Sequence, residues 1–136
     1  MERTLVLVKP DGVERGLVGD IVSRFERRGL RLVAADLRTL GRDVAQRHYG
    51  EHEGKEFYEG LVDFITRGPV FAMVLEGPTN TWHVVRTMMG ATDPSASAPG
   101  TIRGDLGLVM QENLIHGSDS SESAQREIAI FFPALG

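Results

Sequence analysis

The spacing of apolar positions changes along the chain, and each change predicts an element. Thr4 to Val8, TLVLV, is apolar and β-branched without alternation, as expected of a central strand covered on at least one face. It stops at KPDG, where Pro10 holds Lys9 extended. Pro10 and Gly12 suit the second and fourth positions of a type I turn, so Lys9 projects from the strand's carboxyl end. Leu17, Ile21 and Phe25 recur at four-residue steps with Val18 and Val22 beside them, which predicts a helix packed on the sheet and ended by Gly29. From Leu30 to Leu40 the period becomes two, with Val33, Ala35 and Leu37 on one strand face, Arg38 on the other and Gly41 as the stop.

DVAQRHYGEH and FYEGLVDFITRG read as short helices, the second with Leu61, Phe64 and Ile65 on one side, and PVFAMVLEG reads as a buried strand. TNTWHVVRTMMG places Trp82, Val85 and Met89 at helical spacing. NLIH makes a short strand, and a last helix gathers Ala124, Ile128 and Phe131 on one face. Gly90 to Thr101, GATDPSASAPGT, holds small residues and two prolines; a loop of that length is functional, an interface or disordered. The order β, α, β, α, β, α, β, α over residues 1–136, without a repeat or linker, predicts one layered α/β domain.

Composition narrows the class. Hydrophobic residues make up 41% and charged residues 25%, as in an ordinary globular protein, and the apolar run in MERTLVLVKP is too short for a signal-peptide core or a membrane span. The absence of cysteine excludes disulfides and thiolate zinc sites and permits a reducing compartment, so a soluble cytoplasmic protein without a membrane partner is expected. A formal net charge of -4 argues against broad binding to nucleic acid, while leaving room for a local basic cleft. Of the 15 basic residues only Lys9 and Lys55 are lysines, so a compact ammonium stands at the first strand end in a chain that otherwise uses guanidinium forks.

The densest candidate chemistry is NLIHGSDSSESAQREI, Asn113 to Ile128, where His116 stands between an apolar run and a stretch of hydroxyls and acids. By residue type alone a single histidine there is more often structural. Ser118, Ser120 and Ser121 suit a helix cap, and Asp119 with Glu122 resembles a capping box. A hydrolase reading with His116 as base to one of these serines lacks a nucleophile elbow, and His116 with Asp119 makes a thin metal pair. His48, His52 and His83 read as structural. Glu127 lies at the border of the last helix's apolar face, from which its carboxylate reaches back toward the strand.

VKPDG, RGLVG, HY, GP, PGTIRGD and NLIHGSDS, in this order and spacing, resemble nucleoside diphosphate kinase over nearly the whole chain. HGSDSSESAQREIAIFFP looks like the short actinobacterial members of that family. The resemblance implies an α/β (α+β) ferredoxin-like sandwich, a four-stranded antiparallel sheet covered by helices packed on one face, with extra short helices inserted. Spacing alone does not separate antiparallel from parallel strands here, because each connection carries a helix. The resemblance also implies transfer of the γ-phosphate of a nucleoside triphosphate, typically ATP, to a nucleoside diphosphate, maintaining NTP and dNTP pools. The route is ping-pong, through a phosphorylated His116. Neutral imidazole is a good nucleophile near neutral pH, and the in-line transition state chiefly needs positioning and cations.

By the same resemblance Lys9, Arg86 and Arg103 hold the phosphates, with hydrogen bonds from Thr92 and Tyr49, and Asn113 joins Lys9 at the ribose 3′-hydroxyl. Glu127, with Ser118 nearby, hydrogen-bonds one imidazole nitrogen and leaves the other for phosphorus, while Gly117 leaves room for the phosphate. Mg2+ bridges the β- and γ-phosphates, held by nucleotide oxygens and water and reached through water by Asp119. The base stacks on Phe57 beside Leu61, and Met110 stands where the family often has valine. The loop from Gly90 to Thr101 matches a segment near the three-fold axis of a hexamer, so a homo-hexamer is expected over a tetramer. The alternative, a non-catalytic regulatory or nucleic-acid-binding protein on the same fold, is disfavoured by the acidic charge and the intact catalytic set, so no obligate nucleic-acid partner is expected.

Overall fold

The computed structural model describes residues 1–135. Four strands, β1 (Glu2–Val8), β2 (Arg31–Arg38), β3 (Val70–Gly77) and β4 (Ile115–Gly117), form a sheet in the order β2-β3-β1-β4, each neighbouring pair antiparallel. Seven helices accompany them: α1 (Pro10–Glu14), α2 (Val18–Arg27), α3 (Arg42–His48), α4 (Tyr58–Thr66), α5 (Thr81–Met89), α6 (Ile102–Leu106) and α7 (Ser121–Phe131), among the described residues. The antiparallel sheet and its helices agree with the ferredoxin-like expectation.

The unbroken apolar run in β1 has a direct cause. Leu5 and Leu7 pack with Ala72 and Val74 against Ala45, Val62, Ile65 and Phe131 of α3, α4 and α7. Val6 and Val8 pack with Met73 and Leu75 against Ile21, Phe25, Val85 and Met89 of α2 and α5. The expectation of helices on one face is therefore corrected: both faces are covered, which is why β1 cannot alternate. Each fully buried aliphatic of this seam stabilises the fold by about 1.5–3 kcal/mol.

Three local expectations also change. In β2 the pairing skips from Leu32 opposite Leu75 to Ala34 opposite Val74, a bulge that puts Val33 and Ala34 against the same core. The strict alternation of Val33, Ala35 and Leu37 is lost, and Leu37 on this edge strand is 58% exposed. KPDG is not an isolated turn but the entry to α1, with Lys9 extended (φ -72, ψ 167) at its N-cap and Pro10 at its first position. Finally, the last strand begins at Ile115, because Asn113 and Leu114 form a turn before it.

Register then aims the histidine. His116 pairs with Leu7, while its neighbour Ile115 packs in the core under α2 and α5. Side chains alternate along a strand, so His116 faces the opposite layer, toward α3 and α7.

Candidate active site

A cleft of about 250 Å³ opens at the carboxyl end of β1 beside β4, and its lining includes Lys9, Tyr49, Arg86, Thr92, Arg103, Asn113, His116, Asp119 and Glu127. Nine of the residues singled out in the sequence thus meet in one place. Ser118 lies directly behind them, fully buried. Phe57, Leu61 and Met110 do not line the cleft. Phe57 is 52% exposed and joined to the cleft through His52, whose ring centroid is 5.3 Å away. Leu61 is half-buried on α4, and Met110 is 50% exposed. A larger, open groove of about 970 Å³ between α3 and α4 holds none of the expected catalytic groups.

His116 is held from one side only. Its Nε2 lies 2.8 Å from Glu127 Oε1, and Ser118 Oγ donates to the same oxygen at 2.7 Å. An ionised carboxylate only accepts, so Nε2 carries the proton and Nδ1 keeps its lone pair. Burial would raise the Glu127 pKa, but the hydrogen bond and charge of His116 outweigh it and hold the carboxyl below its ordinary value. Glu127 reaches this position because α7 turns its buried face, Ala124, Glu127, Ile128 and Phe131, toward the sheet. Ser120 caps that helix, accepting from Ser123 N at 3.0 Å, so the Asp119–Glu122 capping box is not formed. Gly117 is glycine for packing: a Cβ there would meet Met89 Sδ at 2.6 Å, on the α5 side of the sheet. Room for a phosphate is not its reason.

The cations differ in how free they are. Arg86 spends one N–H on the Gly117 carbonyl at 2.9 Å. Arg103 instead donates to four carbonyls: Asn113 at 3.0 Å, Ile115 at 2.6 Å, Ala91 at 3.3 Å and Gly90 at 3.4 Å. It staples the loop from Gly90 to the entry of β4 and contributes to the cleft mainly as a fixed positive field. Lys9 Nζ donates to Asn113 Oδ1 at 3.0 Å, and Asn113 Nδ2 donates to Thr92 O at 3.0 Å. Burial, then the neighbouring Arg103, lowers the Lys9 amine to about 8. Burial and Arg86 lower Arg103 to about 10, so both remain cationic at neutral pH. Tyr49, pushed upward by burial, stays a neutral phenol.

Backbone strain sits in the same seam. Leu114 has φ 73, and Ile115 N donates to Asn113 O at 2.8 Å, a γ-turn whose central residue is not glycine. Such a conformation costs on the order of 1–3 kcal/mol and persists only where its surroundings over-determine it. Here Lys9 N donates to Leu114 O at 2.8 Å, and Leu114 N donates to Asp11 Oδ2 at 3.0 Å. Gly12 is required beside it, since a Cβ would meet Val8 Cγ1 at 2.7 Å and Leu114 O at 3.2 Å.

Two residues of this region went unrecognised in the sequence. Asp11 was hidden inside a turn motif. His48, read as structural, lies edge-on to His116 with ring centroids 4.6 Å apart, and neither of its ring nitrogens has a hydrogen-bond partner among the described residues. Its signal was helical spacing, for Ala45 and His48 share the buried face of α3. Burial first, then the His116 charge, lowers its pKa to about 3, so it is neutral at physiological pH. His48, His116 and Glu127 have donor atoms within 4.8 Å of one another, a spacing that could hold a metal ion. Lys9, Arg86 and Arg103 beside them favour anions instead, so the cleft suits phosphate better than a bare cation.

Known proteins match this arrangement along its whole length. The family model described as nucleoside diphosphate kinase matches residues 2–135. A nucleoside diphosphate kinase of Frankia casuarinae is 61% identical over 135 residues, covering 99% of this chain and 98% of that one. One from Haloarcula marismortui is 62% identical over 133 residues, 96% of this chain and 86% of that one. Among solved structures, the Halobacterium salinarum enzyme in complex with CDP superposes with a TM-score of 0.92 at 56% identity, covering 96% of this chain and 87% of that one. A nucleoside diphosphate kinase family protein from Babesia bovis gives 0.95 at 50% identity, covering 99% and 90%. With the fold, the motifs and the relatives in agreement over nearly every residue, the chain belongs to the nucleoside diphosphate kinase family.

Proposed function

We propose that this nucleoside diphosphate kinase moves the γ-phosphate of a nucleoside triphosphate to a diphosphate in two steps through Nδ1 of His116. The observation that carries the reading is the 2.8 Å contact between Glu127 and Nε2, inside a cleft lined by Lys9, Arg86 and Arg103. In the first step the Nδ1 lone pair attacks the γ-phosphorus, the bond to the β,γ-bridging oxygen breaks, and the diphosphate leaves. In the second, a terminal oxygen of the acceptor diphosphate attacks the same phosphorus and the P–N bond returns its electron pair to Nδ1. Glu127 keeps the Nε2 proton and stabilises the positive charge that develops on the ring, while Ser118 fixes the carboxylate.

Arg86 is the freest fork for phosphate oxygens, and Lys9 approaches them as a point charge. Thr92 and Tyr49 line the phosphate path, and Asn113 passes from Thr92 to the ribose when nucleotide arrives. Mg2+ suits this cleft as a phosphate-bound ion: Asp119 is an exposed carboxylate at its mouth, able to reach such an ion through water. The ion supplies neutralisation of the β- and γ-phosphate charge. The base rests on the exposed face of Phe57, with Leu61 and Met110 as apolar neighbours, a contact that accepts any base.

The chain acts as one domain, and a cytoplasmic setting fits its lack of cysteine; among the described residues no helix is long and apolar enough to cross a membrane. A hexamer is the assembly we favour, because the loop from Gly90 to Thr101 matches the family segment near a three-fold axis, and Leu108 and Val109 leave apolar surface exposed for a neighbouring subunit. Light scattering checks it, and a tetramer or a monomer would refute it. Incubation with labelled ATP tests the mechanism. The expected product is an acid-labile, alkali-stable phosphate on His116 that a nucleoside diphosphate discharges. His116→Gln lowers transfer by at least about 10⁴-fold, and a variant that still labels fully overturns the assignment.

A further inference from the structure

We infer that Asp11 is a positioning residue of this site: its buried carboxylate clamps the Asn113–Leu114–Ile115 γ-turn and is the counter-charge behind Lys9 and Arg103. Asp11 is 3% exposed, in the first turn of α1 and two residues beyond Lys9. Oδ2 accepts the N–H of Leu114 at 3.0 Å, while Oδ1 has no hydrogen-bond partner among the described residues. A buried carboxylate with one free oxygen is costly unless its charge is used.

What surrounds it supplies the use. Lys9 and Arg103 hold the backbone carbonyls around the same Leu114 N–H that Asp11 accepts, and the negative charge of Asp11 raises the affinity of both cations for their protons. Burial raises the Asp11 pKa, partly offset by the Leu114 N–H and by Lys9. The polar backbone of the γ-turn is gripped by these same three residues. Asp11 takes the Leu114 N–H, the Lys9 N–H takes the Leu114 carbonyl, and Arg103 takes the carbonyls on either side. Asn113 opens the turn, its side-chain oxygen accepting from Lys9, and His116 directly follows it. The left-handed Leu114 therefore sets the distance between the lysine arm and the histidine, and among the described residues Asp11 is the only side chain that holds its N–H.

The chain has only two lysines, so protein labelled with 13C at the lysine ε-carbon gives two resonances, which Lys55→Arg assigns. In the nucleotide-free protein Asp11→Asn keeps an acceptor for Leu114 but loses the charge. The Lys9 titration midpoint is expected to fall from about 8 by about one further pH unit, with Leu114 amide exchange unchanged. Asp11→Ala loses both, so Leu114 exchanges about ten-fold faster or more and kcat/KM falls about 10–100-fold. A Lys9 midpoint unmoved in Asp11→Asn overturns the counter-charge, and wild-type exchange at Leu114 in Asp11→Ala overturns the clamp. Should the alanine variant fail to fold, Asp11→Ser takes its place: exchange at Leu114 faster than in the wild type supports the clamp, and wild-type or slower exchange contradicts it. The effect on kcat/KM rests on the phosphotransfer reading, but the two resonance measurements do not, so failure of one is separable from failure of the other.

Discussion

The two ends of the proposed nucleotide path are built differently. At the chemical end, His116, Glu127, Ser118, Asp11 and Arg103 are buried or nearly so, and a chain of short hydrogen bonds fixes their orientation. At the proposed base end, Phe57 and Met110 are half exposed, and Phe57 makes an aromatic contact with His52 and a cation contact with Lys55. The difference matches the work asked of each. Phosphorus must be met by one nitrogen in one tautomer, whereas a base of any identity needs only a flat apolar face.

Substitutions separate the two ends, starting with the largest effect. Lys9→Met removes the point charge at the phosphate path and lowers kcat by about 10²–10³-fold. Yet the apparent Tm of the nucleotide-free protein does not fall at neutral pH. The folded amine is held near 8 against an ordinary 10.5, so the unfolded chain binds the proton more tightly and the charged lysine opposes folding. The same sign means that wild-type stability rises with pH between about 8 and 10.5, and that Lys9→Met flattens this rise in thermal melts.

Glu127→Ala comes next. It slows phosphorylation of His116 by about 10–10²-fold in single-turnover measurements, with nucleotide KM little changed, because the tautomer is no longer imposed. Phe57→Ala is smaller and of another kind: KM rises by about five-fold for every base, while the rate from saturating nucleotide is kept. A base-selective change would break the comparison.

The smallest effect is on stability. His48 is held neutral, with a folded pKa of about 3 against an ordinary 6.5, so folding stability is lost as pH falls below about 6.5. Urea midpoints between pH 6.5 and 4.5 isolate this group from Glu127, whose ordinary value is 4.5 and whose folded value is lower still. His48→Phe reduces the slope in that window; an unchanged slope assigns the acid sensitivity elsewhere.

Much of this is legible in the sequence. The non-alternating TLVLV placed a central strand, KPDG placed Lys9 at its end, and the spacing of Ala124, Glu127 and Ile128 turned the glutamate toward the strand. Those signals are local, since periodicity and turn chemistry act within one element. What stayed hidden depends on pairing between distant segments. Cover on both faces of β1 follows from which helices return to which side, and the phase break at Leu32–Ala34 appears only against β3. The left-handed Leu114 is a leucine where sequence would favour glycine, and only the bonds from Asp11, Lys9 and Arg103 explain it. His48 looked like any helix-face histidine until register brought His116 beside it.

The central claim is that Glu127 holds the proton on Nε2 so that Nδ1 of His116 takes the phosphate. Protein labelled with 15N-histidine and phosphorylated by ATP tests it most directly by NMR. Phosphorus coupled to Nδ1 of His116 and a proton retained on Nε2 are the expected result. Phosphorus coupled to Nε2, or a phosphoprotein in which His116 is unmodified, would contradict it.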